Sequence, residues 1–187
     1  MKKNYTWILL LLVIALLLGG GTFAYRLLSR ITDPASPSET VSLAPQGDAA
    51  DFTVYDADGT PVTLQSKQGK PVLINFWASW CGPCKAELPD LETACQQYGD
   101  KVEFMMINLT DGSSETVDGV RAFLEENGYT FPVYYDTDES ATLAWGVSSI
   151  PTTVLIGPDG KYLHTQIGAM SAETIEQLVQ QLLSAEG

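Results

Sequence analysis

Two cysteines separated by two residues, Cys81-Gly82-Pro83-Cys84, are the part of this chain best suited to chemistry. They follow the apolar run Pro71 to Trp77 (PVLINFW) and open a segment, residues 82–98, that reads as a helix. The placement matters. A helix N-terminus carries unpaired N–H groups and a partial positive charge. Both stabilise a thiolate at Cys81 and make it the nucleophile at neutral pH. Cys84, one turn further in, is expected to be the more buried sulfur. It is close enough to attack a mixed disulfide formed at Cys81, releasing reduced substrate and leaving a Cys81–Cys84 bridge. Gly82 and Pro83 shape the turn. Pro83 falls in the first helical turn, where its missing N–H costs least.

Other chemistries fit these residues less well. A four-ligand zinc site needs a second Cys/His pair, and only Cys95 and His164 remain. No metal is expected, and no cofactor other than the redox-active disulfide itself. A purely structural bridge across so small a loop stabilises little. Three cysteines are too few for a disulfide-dense scaffold. Cys95, mid-helix, reads as a buried, inert thiol. His164 reads as a packed or surface residue. Charge excludes another class. The chain carries 10 Lys plus Arg against 23 Asp plus Glu, a net of −13. From Asp48 onward six bases face twenty-one acids, a net of −15. Such a body repels phosphate backbones, so nucleic acid is not an expected partner.

The elements that must position the cysteines alternate. Asp51 to Tyr55, the turn Asp58-Gly59 and Pro61 to Leu64 predict a hairpin. Pro71 to Trp77 is a strand buried on both faces. The helix over 82–98 is expected to be interrupted at Pro89. Val102 to Leu109 is a second buried strand. Ser114 to Asn127 predicts an amphipathic helix, with Gly128 as its C-terminal glycine. Short elements follow at 131–135 (strand) and 140–145 (helix). Strands at 152–156 and 162–167 flank Pro158-Asp159-Gly160, and a helix over 171–183 buries Ile175, Leu178, Val179 and Leu182. The order implies an α/β fold: a partly parallel sheet, helices on both faces and an antiparallel edge.

Three parts are expected along the chain: a membrane anchor at 1–30, a flexible linker at 31–47 and a folded domain at 48–187. Lys2 and Lys3 precede an uncharged run, Asn4 to Tyr25, long enough to span about 30 Å of hydrocarbon. Trp7 and Tyr25 sit where interfacial aromatics belong. The rival expectation is a cleaved signal peptide and a secreted domain. The Pro-, Ser- and Thr-rich stretch that follows cannot bury enough surface to fold.

The segments Phe76-Trp77-Ala78-Ser79-Trp80-Cys81-Gly82-Pro83-Cys84-Lys85, Ile150-Pro151-Thr152-Thr153 and Gly157-Pro158-Asp159-Gly160 resemble a thioredoxin-fold protein over about residues 48 to 185. The anchor, the N-terminal hairpin and the helical insertion at 114–127 resemble the membrane-tethered TlpA/ResA-like thiol–disulfide oxidoreductases of bacteria. The resemblance implies a thioredoxin-like fold with a transmembrane helix before it. It implies that Ile150–Pro151 is cis and packs opposite the cysteines, leaving the Ile150 backbone to pair with substrate. Trp80 is expected to shield the disulfide. The chain departs from plain thioredoxins at Asn75, where they commonly have a proton-accepting aspartate. A neutral amide can hydrogen-bond but cannot take that proton. Asp111 in the inserted segment, and Glu115 less directly, are the acids expected to tune the pair.

The function expected from the resemblance is a single-pass protein of the bacterial cell membrane with its catalytic domain outside the cytoplasm. It would reduce disulfides of exported proteins, apocytochrome c among the possible targets, and be re-reduced by a membrane thiol electron donor. The alternatives are a thiol peroxidase and a non-enzymatic binding module. The first lacks a Thr-x-x-Cys setting and a nearby Arg. The second requires function without either cysteine.

Overall fold

The computed structural model describes residues 47–185. The expected anchor and nearly all of the expected linker lie outside the described residues. Among the described residues, no helix is long and apolar enough to cross a membrane.

Seven strands form one sheet in the order β2-β1-β5-β4-β3-β6-β7. They are β1 (Thr53–Tyr55), β2 (Pro61–Thr63), β3 (Val72–Trp77), β4 (Glu103–Asn108), β5 (Val133–Tyr135), β6 (Thr152–Ile156) and β7 (Tyr162–Ile167). The central strands β3, β4 and β5 run parallel. β6 joins β3 antiparallel, with Asn75 opposite Thr153, and β7 closes that side antiparallel. The β1–β2 hairpin closes the other side through β5. The helices are α1 (Gly82–Tyr98), α2 (Val117–Asn127), α3 (Ser140–Ala144) and α4 (Ala172–Ser184). This is the partly parallel α/β sheet that the alternation predicts, in the thioredoxin-like arrangement that the resemblance implies.

Strand alternation divides the core into two layers. Leu73, Trp77, Phe104, Met106 and Leu155 face one way. They pack against Leu88 and Leu91 of α1, Val120 of α2 and the α4 stripe Ile175, Leu178, Val179 and Leu182. Val72, Ile74, Phe76, Met105, Ile107, Val154 and Ile156 face the other way, toward Phe52, Val54, Leu64 and Ala141 of α3. Asn75 shares the parity of Leu73 and Trp77, so it points into the α1 side.

Two expectations are corrected. The first helix is not interrupted at Pro89: α1 runs unbroken from Gly82 to Tyr98. A proline inside a helix costs about 3 kcal/mol through a lost hydrogen bond and ring crowding. Here Leu88 and Leu91, both fully buried, anchor the helix on either side of it. The inserted helix starts at Val117, not Ser114. The amides of Ser113, Ser114 and Glu115 donate to the Asp111 carboxylate instead of joining the helix. Thr116 then caps α2 by accepting from the Gly119 amide. At the other end Gly128 takes the left-handed φ of 71°, as its position predicts.

Candidate active site

β3 ends at Trp77, and α1 begins five residues later. The short connection places Cys81 at the helix N-cap, because β3 is pinned on both sides by β4 and β6. The Cys81 amide donates to the Ala78 carbonyl at 3.2 Å, which closes a tight turn. Cys81 and Cys84 are joined by a disulfide. The Cys84 amide donates to Cys81 Sγ at 3.2 Å, so an orphan donor of the first turn already points at the sulfur. Cys81 is 5% exposed and Cys84 0%, the order expected for an outer and an inner sulfur. Gly82 and Pro83 are exposed at the surface of the turn. Trp80, expected to cover the disulfide, is 59% exposed and presents most of its indole to solvent.

The Ile150–Pro151 peptide bond is cis. Cys81 Sγ lies 3.8 Å from the Ile150 carbonyl oxygen, so the loop before β6 sits directly against the outer sulfur. Ile150 is half-buried and Pro151 buried.

Beneath the cysteines lies a buried polar group that sequence reasoning misses. Glu87 is on α1, one turn beyond Cys84, and is fully buried. Its Oε1 accepts from Asn75 Nδ2 at 2.9 Å, and its Oε2 accepts from the Met170 amide at 2.8 Å. Asn75 Nδ2 also donates to Thr153 Oγ1 at 2.9 Å. Burial pushes the Glu87 carboxyl above its ordinary value, and the donors from Met170 and Asn75 offset that only in part. Asn75 therefore does not move a proton. It holds the Glu87 carboxyl in place. A signal for Glu87 exists in the sequence: positions 84, 87, 88 and 91 follow the i, i+3, i+4, i+7 spacing of a core stripe, and an acid occupies one of them.

The inserted segment does not use its acids as expected. Asp111 is exposed, and its carboxylate accepts from the amides of Ser113, Ser114 and Glu115 and from the hydroxyls of Ser113 and Ser114. Led by the Glu115 amide, these donors hold it well below the usual carboxylate range. Its bonding capacity is spent on its own loop rather than on the sulfurs. Glu115, 2% exposed, is the acid that reaches the active-site turn. Its Oε1 accepts from the Ser79 amide at 2.7 Å and from Asn108 Nδ2 at 2.6 Å, and its Oε2 accepts from Ser79 Oγ at 2.7 Å.

The third cysteine, the histidine and Trp145 lie elsewhere. Cys95, further along α1, is half-buried, and its thiol is pushed up to about 11 by burial and by the nearby Glu92 and Glu103 charges. Trp145 packs on Tyr162 with ring centroids 6.1 Å apart. His164 sits mid-strand on β7, opposite Leu155. Among the described residues, no cluster of three or more His, Cys, Asp or Glu side chains is arranged to hold a metal. The groups present can form a thiolate, accept a buried proton and exchange a disulfide.

Known proteins share this architecture. The Redoxin family matches residues 45–182. The thiol-disulfide oxidoreductase ResA of Bacillus subtilis (strain 168) is 35% identical over 135 residues, 72% of this chain and 73% of ResA. A putative thiol:disulfide interchange protein DsbE from Chlorobium tepidum aligns with a TM-score of 0.66 at 32% identity, covering 76% of this chain and 99% of that one. The pneumococcal exposed lipoprotein thioredoxin from Streptococcus pneumoniae aligns with a TM-score of 0.62 at 30% identity, covering 71% and 100%.

Proposed function

Because the chain belongs to the Redoxin family and is a thiol–disulfide oxidoreductase, we infer that it works as a reductase of disulfides in exported proteins. The observation that carries this reading is the Cys81–Cys84 disulfide at the N-terminus of α1 with the buried Glu87 carboxyl one turn beyond it.

The cycle follows from those groups. In the dithiol form Cys81 is the thiolate, stabilised by the Cys84 amide and the helix terminus. It attacks one sulfur of the substrate disulfide. A new S–S bond forms, and the other substrate sulfur leaves as a thiolate and takes a proton. Cys84 then gives its proton to the Glu87 carboxylate and attacks Cys81 Sγ. The second substrate thiolate leaves, the internal disulfide closes, and two electrons have passed to the substrate. Burial keeps Glu87 suited to this task, because a carboxyl with a raised pKa is a stronger base toward a thiol. A substrate strand lies along the Ile150 backbone, beside Cys81 and the exposed face of Trp80. A thiol electron donor of the membrane returns two electrons and two protons to the disulfide.

Residues 1–30 tether the catalytic domain to the outer side of the cell membrane. The uncharged, largely apolar run from Asn4 to Tyr25 after two lysines supports this. The pneumococcal relative, described as an exposed lipoprotein, supports the placement outside the cytoplasm. Apocytochrome c is one candidate substrate. The test is capture in cells. With Cys84→Ala the resolving step is lost, and exported proteins are expected in mixed disulfides with Cys81. Recovery of only cytoplasmic proteins, or of none, overturns this reading.

A further inference from the structure

Glu115 performs none of the steps above, yet it is one of the most buried charged residues in the domain. Three donors meet its carboxylate, and two of them belong to Ser79. The third, Asn108, ends β4, whose backbone is fixed by pairing with β3 and β5. Asn108 is itself held, since its Oδ1 accepts from Thr110 Oγ1 at 2.7 Å. Behind Glu115, the Asp111 carboxylate gathers the loop and takes the Glu115 amide at 2.9 Å. A chain of contacts therefore runs from the inserted segment to the turn 78–81. Ser79 spends its amide and hydroxyl on an acid that comes from 36 residues away.

We propose that Glu115 is a positioning residue of the redox site: it holds Ser79 so that the Cys81 sulfur stays within reach of the Cys84 amide. This rests on the reading of Cys81 as the nucleophile. The charged side chains on these segments are Lys85, Glu87, Asp90 and Glu92 of α1, Glu103 at the far end of β4, and Asp111 and Glu115 of the inserted loop; of these only Glu115 bonds to the turn 78–81. Two roles for Glu115 act in opposite directions. As a brace it favours the thiolate, by keeping the sulfur on the helix donors. As a bare negative charge it disfavours the thiolate.

The test uses the reduced full-length chain. Iodoacetamide alkylation of each cysteine is followed by mass mapping as a function of pH. Glu115→Ala is expected to move the Cys81 rate profile to higher pH and to lower its rate at pH 7 about fivefold, the share a helix terminus contributes. Glu115→Gln, whose carbonyl still accepts from Ser79 and Asn108, is expected to recover most of that loss. Ser79→Ala, which removes only the hydroxyl contact, is expected to give a smaller shift of the same sign and covers the case in which Glu115→Ala does not fold. If Glu115→Gln and Glu115→Ala both speed alkylation, charge is the dominant effect and the proposal is wrong. If Glu115→Ala lowers the melting temperature while the Cys81 profile stays in place, the contact is merely structural and the proposal is also wrong. If the wild-type chain is alkylated first at Cys84, the nucleophile has been misassigned, and that outcome is read independently of any Glu115 variant.

Discussion

Helix α1 carries cysteines in two settings. At its N-terminal end Cys81 caps the helix, takes the Cys84 amide on its sulfur and lies against the cis-proline loop. Further along the same helix Cys95 is half-buried, flanked by the negative charges of Glu92 and Glu103, and its thiol is pushed up to about 11. The residue type, helix and solvent are the same. The position relative to the helix terminus and to neighbouring charges differs, and these are what decide whether sulfur is a nucleophile or filler.

The largest break of that contrast is Cys81→Ala, which is expected to abolish reduction of a disulfide peptide, measured as loss of donor-coupled turnover. Activity that persists through Cys84 or Cys95 would erase the distinction between the two ends. Glu87→Gln is expected to slow the resolving step on the order of 10²-fold, the low end for a positioned proton acceptor, read from single-turnover decay of the mixed disulfide. The same variant has a pH signature. Burial raises the Glu87 pKa, so the folded chain keeps a proton that the unfolded chain sheds near 4.5. Its contribution to stability is complete below that value and is lost as pH rises through the folded pKa. The melting temperature of Glu87→Gln relative to wild type should therefore climb with pH; a flat difference would place the carboxyl in contact with water. Cys95→Ala is the smallest expected effect. Turnover stays unchanged and stability falls by no more than about 1 kcal/mol, measured by urea denaturation.

Much of the site is legible in the sequence. The cysteine pair, its strand-to-helix placement and the burial order of the two sulfurs follow from local pattern, because a helix terminus and its orphan donors are local objects. The α4 stripe is legible for the same reason. Glu87 has a signal in the helical spacing from Cys84 to Leu91, but Pro89 suggests a break there. Two buried leucines outweigh the proline, and the stripe continues through it. Asp111 and Glu115 show the opposite case. Both are acids in one loop, four residues apart, and sequence favours the first. The loop folds around Asp111, which consumes its carboxylate, and the same fold turns Glu115 inward. Residue type carries only a faint signal: an Asp before Gly112 favours bonds to the amides just ahead of it, which the longer Glu side chain does not.

By itself the sequence determined the thiol chemistry, the strands and helices that frame it, and the acidic balance of the domain. Those depend on residue type and short-range spacing. Only the tertiary structure decided which carboxyls are buried beside the active-site segment. Asn75, Glu87, Thr153 and Met170 meet from four separate segments, and Ser79 meets Glu115 across 36 residues. The reason is physical. A charge is costly to bury without partners, so a buried acid needs donors that the chain must bring from far away. Which donors arrive is settled by the packing of the sheet against α1, and the identities of the residues do not reveal it.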